Sequence, residues 1–231
     1  MKWMNENEGV LSVGIFITTL LLGWVSGIFA ALRRKPKFKI ELFDGPTFSC
    51  TYWTGKTLGD DRVQRTAIAL YLHITNVGSA PSSVEDISIG YHWHLLPFSK
   101  LWLRYSIGWC WLRKQAVALS DFHAYIGDQI KVFPFLTQKN SMTDIGGHTY
   151  LEPGMSTNGV IYYETGDDTG GNFPSPRNGQ VKIKVKVNDA FGKGHSRVFR
   201  IPLVSLDKAR EYNPSFGNTR AKLRGDELPT H

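Results

Sequence analysis

The sequence predicts an all-β domain, an antiparallel β-sandwich, behind a single N-terminal transmembrane helix. Three observations predict it: an uncharged apolar run at 10–32, a hydrophobic period of two in most segments beyond residue 37, and turn residues between those segments. No sustained helical pattern alternates with the predicted strands, which argues against a parallel α/β sheet. Behind the helix, about 170 residues remain for one domain with its own core.

The apolar run at 10–32 is long enough to cross a bilayer. Its uncharged residues would form about 34 Å of helix, against a hydrocarbon layer of about 30 Å. A signal peptide has a shorter apolar region behind a basic leader. Here the leader, residues 1–9, sets Lys2 against Glu6 and Glu8. We therefore expect an uncleaved anchor, with the lipid bilayer as a partner.

The charges that flank the run predict its direction. A basic juxtamembrane segment at 33–39 follows it and carries Arg33, Arg34, Lys35, Lys37 and Lys39. The positive-inside rule places this segment in the cytoplasm, residues 1–9 outside, and the domain on the cytosolic side of the inner membrane. These cations supply most of the net charge of +7, so that charge does not indicate a partner of duplex nucleic acid. The alternative is a domain on the outer side of the membrane, with a role in envelope maintenance.

Small residues recur on one face of the predicted helix, at spacings of three, four and seven. Gly23 and Gly27 form a GxxxG pair, which lets a second helix approach closely. In a homo-oligomer, a ring of Glu8 would stand at the outer mouth of a weakly polar channel. A plain anchor with ordinary small residues is the alternative. The predicted helix–helix or pore residues are Glu8, Ser12, Thr19, Gly23, Ser26, Gly27 and Ala30.

Eight segments predict short strands, at 37–43, 48–53, 66–74, 86–91, 130–137, 158–164, 180–187 and 197–203. The segment 180–187 alternates most regularly, with valine and isoleucine on one face and lysine on the other. Turn residues at 76–81, 152–154 and 166–171 separate neighbouring segments. The predicted domain spans 40–206, and a polar tail follows at 207–231.

A tryptophan-rich insertion at 92–119 interrupts this pattern. No acidic residue occurs from 87 to 120, whereas lysines and arginines do. Tryptophan with cations is typical of proteins that contact the headgroup layer of an anionic membrane. Packing against the domain or a neighbouring subunit is the alternative. The candidate interfacial aromatic residues are Trp93, Trp102, Trp109 and Trp111.

Cations on two adjacent predicted strands form a candidate anion-binding surface. A solvated sheet face is the commoner explanation for such a row. The candidate residues are Lys182, Lys184, Lys186, Arg197 and Arg200.

No arrangement of residues indicates catalysis. His92 and His94 would face the same side of a strand, but a metal site needs a third ligand. Two cysteines are too few for a disulfide framework, although a single disulfide bond between them is possible by number. The position of Cys110 between two tryptophans predicts a buried, unreactive thiol. The segment 192–196 lacks the length of a phosphate loop and predicts a hairpin turn. We expect no enzymatic activity, no cofactor and no metal.

The segments 74–89, 151–155 and 188–193 resemble a recurring pattern in bacterial proteins that tether an immunoglobulin-like sandwich behind an N-terminal membrane helix. The resemblance covers about residues 38–204 and implies an immunoglobulin-like β-sandwich, with no enzymatic residues to carry over. In layout, the chain is similar to membrane effectors of bacterial antiphage systems.

Two functional hypotheses follow. In the first, the chain is an oligomeric membrane effector whose cytosolic domain senses a protein partner or a small anionic signal and whose helices alter membrane permeability. In the second, it is a passive tether that recruits a cytosolic partner through its sandwich.

Overall fold

The structure, a computed structural model, describes residues 7–27, 34–94, 98–105, 108–116, 118–137, 149–169 and 173–218. In them the chain is mostly β, with antiparallel sheets and an apolar N-terminal helix. The helices are α1 (Glu8–Val25), α2 (Lys100–Tyr105) and α3 (Leu206–Tyr212). The strands are β1 (Phe38–Leu42), β2 (Phe48–Leu58), β3 (Asp61–Asn76), β4 (Ser82–Tyr91), β5 (Cys110–Leu112), β6 (Phe122–Ile126), β7 (Gln129–Phe133), β8 (Tyr150–Leu151), β9 (Ser156–Glu164), β10 (Pro176–Arg177), β11 (Gln180–Asp189) and β12 (Gly194–Pro202).

Helix α1 is long and apolar enough to cross a membrane. Its 18 residues span about 27 Å at 1.5 Å per residue. The helix ends at Val25 because Gly27 adopts a left-handed φ of 76° and donates its amide to the Trp24 carbonyl, as C-terminal glycines do. The predicted continuation of this helix to residue 32 is therefore wrong at Gly27, and residues 28–33 lie outside the described residues.

Sheet 1 is built around the long strand β3. Strands β1 and β2 pair antiparallel with successive parts of one edge of β3, and β9 pairs with the other edge. Sheet 2 has β11 at its centre, with β4 on one side and β12 on the other. Strand β5 pairs with β4, so the insertion at 92–119 contributes a strand to sheet 2.

The inward faces of the two sheets share one hydrophobic core, which we call core 1. Sheet 1 contributes mainly the alternate residues of β3, and sheet 2 contributes alternate residues of β4 and β11. Their fully buried side chains include Ile68, Leu70, Leu72, Ile74, Ile87, Ile89, Ile183, Val185 and Val187. The antiparallel β architecture is thus confirmed, whereas the immunoglobulin-like topology stays a prediction.

The other face of sheet 1 is also buried, in a second cluster that we call core 2. There Ala67 and Ala69 leave room for the aromatic rings of the β6–β7 hairpin and of the C-terminal segment. Phe216 is 2% exposed, and its ring centroid lies 5.4 Å from those of both Phe48 and Tyr162. Residues 207–218 of the predicted polar tail therefore pack on the domain, where aromatic residues of this segment cover β2.

All eight predicted strands are present, with shifted ends. The prediction for 130–137 is too long, because β7 ends at Phe133, before Pro134. A hairpin turn does connect β11 and β12, but it lies at 190–193 and not at the predicted 192–196, since the ladder resumes at Gly194. The strands β5, β6, β8 and β10 have no counterpart among the predictions.

We predict that Phe216→Ala lowers the free energy of unfolding by about 3–5 kcal/mol, the usual cost of removing a buried phenyl ring. Phe191→Ala is the matched control, since Phe191 is 74% exposed and its loss should cost less than about 0.5 kcal/mol. Urea unfolding of the full chain in detergent measures both. Equal, small effects would contradict the docked position of the C-terminal segment.

Candidate functional site

The outward face of sheet 2 carries the predicted lysine row. Lys182, Lys184 and Lys186 alternate along β11 with residues that are buried in core 1. Arg200 stands directly opposite Lys182 on β12, so the two side chains lie on the same face. We call this surface the basic face. Its charged and aromatic residues are Trp109, Trp111, Arg113, Arg177, Lys182, Lys184, Lys186 and Arg200.

Arg197 lies on the other face of the same strand. Its cross-strand partner is the core residue Val185, and it donates a 2.8 Å hydrogen bond to the Ile40 carbonyl of β1. Its guanidinium also lies 3.9 Å from Glu41. Arg197 and Arg200 are three residues apart, and side chains alternate along a strand. The prediction that Arg197 joins the anion-binding row is therefore wrong.

Two of the predicted interfacial tryptophans lie on the basic face, over Gly90. A Cβ on Gly90 would stand 3.2 Å from the Trp109 Cβ and 3.3 Å from the Trp111 Cδ2, so glycine lets the rings lie flat on β4. The ammonium groups of Lys182 and Lys184 lie 5.6 and 5.8 Å from the Trp109 ring centroid. These cation–π contacts join the tryptophans and the lysine row in one surface.

The other two tryptophans lie elsewhere. Trp93 packs against core 1, as the packing alternative predicted, and its backbone bridges to Pro174. Trp102 lies on α2, with its ring centroid 5.5 Å from that of Phe98.

Two clefts open on the basic face. The larger, of about 440 Å³, is lined by Ser175, Arg177, Asn178, Gln180, Lys182 and Arg200. The turn at Asn178–Gly179, with φ of 52° and 71°, has the type I′ form that holds two strands in tight register. It thereby places Arg177 beside the ladder that carries Lys182. Three cations and several neutral donors line this cleft, a set suited to oxyanions.

The smaller cleft, of about 330 Å³, lies at the other end of the lysine row. It is lined by Asp86, Ser88, Trp111, Arg113, Lys186 and Asn188. Its two cations stand with one carboxylate, Asp86, so its local charge is smaller than that of the larger cleft.

The cations of the basic face have no carboxylate partner within the described residues. Elsewhere on the domain, ion pairs join Lys39 to Glu41 at 2.8 Å and Arg65 to Asp167. A cluster of unneutralised cations on one face creates a positive potential that attracts anions.

The chain that follows helix α1 is built into the domain at residues 34–38, which we call the exit segment. The Lys35 carbonyl accepts the Ser79 amide at 3.1 Å, and the Lys37 carbonyl accepts the Val77 amide at 2.8 Å. Pro36 and Phe38 are buried, whereas Arg34, Lys35, Lys37 and Lys39 are exposed. Arg33 lies outside the described residues. The cations that follow helix α1 therefore lie on the exposed side of a strand-like segment that is hydrogen-bonded to the domain.

A buried pair ties the exit segment to sheet 2. The Phe38 amide donates to His195 Nδ1 at 3.4 Å, and His195 Nε2 lies 3.0 Å from Asp189 Oδ2. Asp189 Oδ1 accepts the Phe191 and Lys193 amides. Burial raises the pKa of a carboxyl, yet the hydrogen bonds from His195 and these amides hold the pKa of Asp189 below its ordinary value.

The predicted small residues of α1 place their hydroxyls on their own helix. Ser12 donates to the Glu8 carbonyl and Thr19 to the Ile15 carbonyl, at 2.9 and 2.8 Å. Ser26 donates to the Gly23 carbonyl at 3.1 Å. The hydroxyls therefore need no second helix. Gly27 ends the helix, so the GxxxG pair does not lie on one helical face, and Ala30 lies outside the described residues.

The histidines and cysteines have separate surroundings. The His92 ring lies 4.1 Å from that of Trp109, and the His94 ring stacks on Phe173. Cys50 and Cys110 are free thiols, and burial raises the pKa of Cys50 to about 11 and also raises that of Cys110. Within the described residues, no three His, Cys, Asp or Glu side chains lie together as metal ligands would.

Sequence reasoning missed Arg113 and Arg177 as members of the basic face. Arg113 follows the edge strand β5, and the tryptophan-rich insertion has no alternating hydrophobic pattern that predicts this strand. Arg177 precedes the dipeptide Asn178–Gly179, a strong hairpin signal that was available in the sequence and would have paired Arg177 with β11.

No family model matches the chain, and no curated protein matches it. One similar solved structure is described as "X-ray structure of Northeast Structural Genomics Consortium target SoR45". It is 9% identical, the match covers 73% of this chain and 85% of that chain, and the TM-score is 0.26. Likeness at this level carries no argument about fold or function.

We predict that Gly78→Ala displaces the exit segment. A Cβ on Gly78 would stand 2.5 Å from the Lys35 carbonyl oxygen and 2.7 Å from the Pro36 carbonyl carbon, and these are backbone atoms that cannot rotate away. We expect a loss of about 1–3 kcal/mol in unfolding free energy and faster trypsin cleavage after Lys37.

Gly166→Ala is the matched control, because a Cβ there would meet nothing within 4 Å. Cleavage rates in this segment that are the same for both variants would show that the exit segment is not docked as described.

Proposed function

We propose that this protein is a membrane-anchored receptor whose β domain binds a phosphate-bearing anionic ligand on the basic face, on the cytosolic side of the inner membrane. One observation carries the proposal: Arg177, Lys182 and Arg200 converge on one cleft that is lined by no carboxylate of the described residues. Cations that meet in this way repel one another, and a bound polyanion relieves that repulsion.

The cleft offers the kinds of contact that phosphate groups use. Arginine presents a planar fork of donors that matches phosphate oxygens, and lysine adds a point charge. Ser175, Asn178 and Gln180 supply neutral hydrogen-bonding groups along the same rim. A volume of about 440 Å³ falls within the usual size of small-molecule sites.

The membrane side of the proposal rests on helix α1 and its flank. The cations of the exit segment follow the helix and support a cytosolic domain under the positive-inside rule. The immunoglobulin-like topology and a place among antiphage membrane effectors are parts of the same proposal, and they rest on the resemblance of layout.

Strands β11 and β12 give the ligand site a route to the membrane helix. Outward they carry Lys182 and Arg200. Inward they carry His195, which accepts the Phe38 amide, and Asp189, which binds His195. A ligand that shifts these strands would therefore act on the segment that leaves the membrane. Packed elements of this kind carry coupling only if they have two arrangements.

The binding test is calorimetric titration of inorganic pyrophosphate into the full chain, held in nanodiscs of neutral lipid. We expect that the double variant Lys182→Gln, Arg200→Gln binds at least about tenfold more weakly, because each charge-assisted hydrogen bond contributes about 1.5–3 kcal/mol. Arg197→Gln is the control, since it removes a positive charge from the inner face of the strand that carries Arg200, and it should bind like the wild type.

Two results would contradict the proposal. One is a wild-type protein that does not bind pyrophosphate. The other is equal weakening by Arg197→Gln, which would mean that overall charge rather than the cleft attracts the anion.

A change in helix packing is a second candidate for what the receptor does once it binds, and the docked exit segment favours it. The passive tether is favoured instead by the self-satisfied hydroxyls of Ser12 and Thr19. If the helices form a pore with Glu8 at its mouth, expression in cells should depolarise the membrane.

Gly23→Leu and Glu8→Ala should then abolish the depolarisation that a potential-sensitive dye reports, because they fill or neutralise the predicted lining. Gly14→Leu is the matched control: it lies nine residues from Gly23, on the opposite side of the helix at 100° per residue. If expression causes no depolarisation, or if all three variants retain it, the pore is contradicted and the passive tether is the function that stands.

A further inference from the structure

Helix α2 and the two residues before it expose a set of large apolar side chains next to the basic face. Phe98 is 88% exposed, Leu101 is 53% exposed and Leu103 is 54% exposed. Single exposed apolar residues are normal, but three within six residues make this segment unusually apolar. Leu101 and Leu103 lie about 200° apart on the helix and therefore on different sides of it. We call residues 98–105 the docking helix.

The docking helix is held in place. Its first turn begins at Ser99, whose Oγ accepts the Trp102 amide at 2.9 Å and whose carbonyl accepts the Leu103 amide at 3.0 Å. After the helix the chain turns back, and Gly108 packs against the Arg104 carbonyl so closely that a Cβ would overlap it. The Gly108 carbonyl also lies 2.8 Å from His92 Nδ1. The next residue is Trp109, so the helix adjoins the basic face.

The charges around the apolar side chains are positive. Lys100 and Arg104 lie on the helix, and no acidic residue occurs from 87 to 120. The tip of the β6–β7 hairpin also exposes apolar side chains, but the charge beside them differs from that on the docking helix. It exposes Tyr125 and Ile126, but its turn carries Asp128. Apolar side chains that are flanked by cations suit the headgroup layer of an anionic bilayer, whereas a carboxylate at the tip does not.

A bilayer is within reach of this surface. Val25, the last residue of α1, and Arg34, where the docked exit segment begins, are nine residues apart in the sequence. An extended chain of that length reaches at most about 32 Å. Tethering raises the effective concentration of membrane around the domain, so even a weak docking surface would be occupied.

We infer that the docking helix inserts Phe98 and Leu101 into the headgroup layer of an anionic bilayer and so fixes the orientation of the β domain on the membrane. This inference goes beyond the proposed receptor function and does not depend on it, because the contact forms without any ligand.

The test uses the full chain in vesicles of phosphatidylcholine with a minority of phosphatidylglycerol. A fluorescent NBD group is attached at Leu101→Cys, in a background with Cys50→Ala and Cys110→Ala, and lipids with a spin label near the headgroup serve as quenchers. We expect blue-shifted emission and quenching by the lipid, both of which weaken in vesicles of phosphatidylcholine alone.

The matched control is the same label at Tyr125→Cys, an exposed site that is 68% accessible on the hairpin with Asp128. It should show little quenching, and a label at Phe98→Cys should repeat the result of Leu101→Cys. Equal quenching at positions 101 and 125 would mean that tethering alone brings the label near lipid, which overturns the inference.

A label at 101 that is shielded from water-soluble iodide, yet not quenched by lipid, would overturn it too. That outcome would place the docking helix against protein, most simply a second copy of the chain.

Discussion

The burial of sheet 1 on both faces is the constraint on which the rest of the structure depends. Strand β3 sends Ile68 and Leu70 into core 1 and Ala67 and Ala69 into core 2. The small alanines admit the aromatic rings of the hairpin and of the C-terminal segment, and each sheet buries its apolar face only against another layer. Sheet 2 therefore carries the solvent-facing sheet surface of this part of the chain, and the basic face lies there.

The same arrangement brings the proposed ligand site and the membrane connection onto shared strands. The outward side chains of β11 and β12 line the larger cleft, and their inward side chains include His195, which contacts the amide of Phe38. Strand β1, which begins at Phe38, is also the edge of sheet 1. A force on the exit segment thus acts directly on both sheets, and no flexible loop of described residues separates them from it.

Residues with a strong period could be predicted from the sequence, and residues placed by long-range pairing could not. The alternation at 180–187 predicted both the buried valines and the outward lysines. Arg197 was misplaced because it was grouped by charge, although its spacing from Arg200 is odd. Phe216 was missed because the segment is polar on average, and one aromatic side chain decides its position. Arg113 and Arg177 join the site through pairings between distant segments, which composition does not record.

The central claim is that the basic face binds a phosphate-type anion while the exit segment holds the domain to its membrane helix. Hydrogen–deuterium exchange of the full chain in neutral nanodiscs, with and without inorganic pyrophosphate at matched ionic strength, tests it most directly. The account predicts that pyrophosphate slows amide exchange at 177–186 and 196–202, with smaller effects at 35–38. Exchange that is unchanged at 177–186, or slowed only on the hairpin at 122–133, would contradict it.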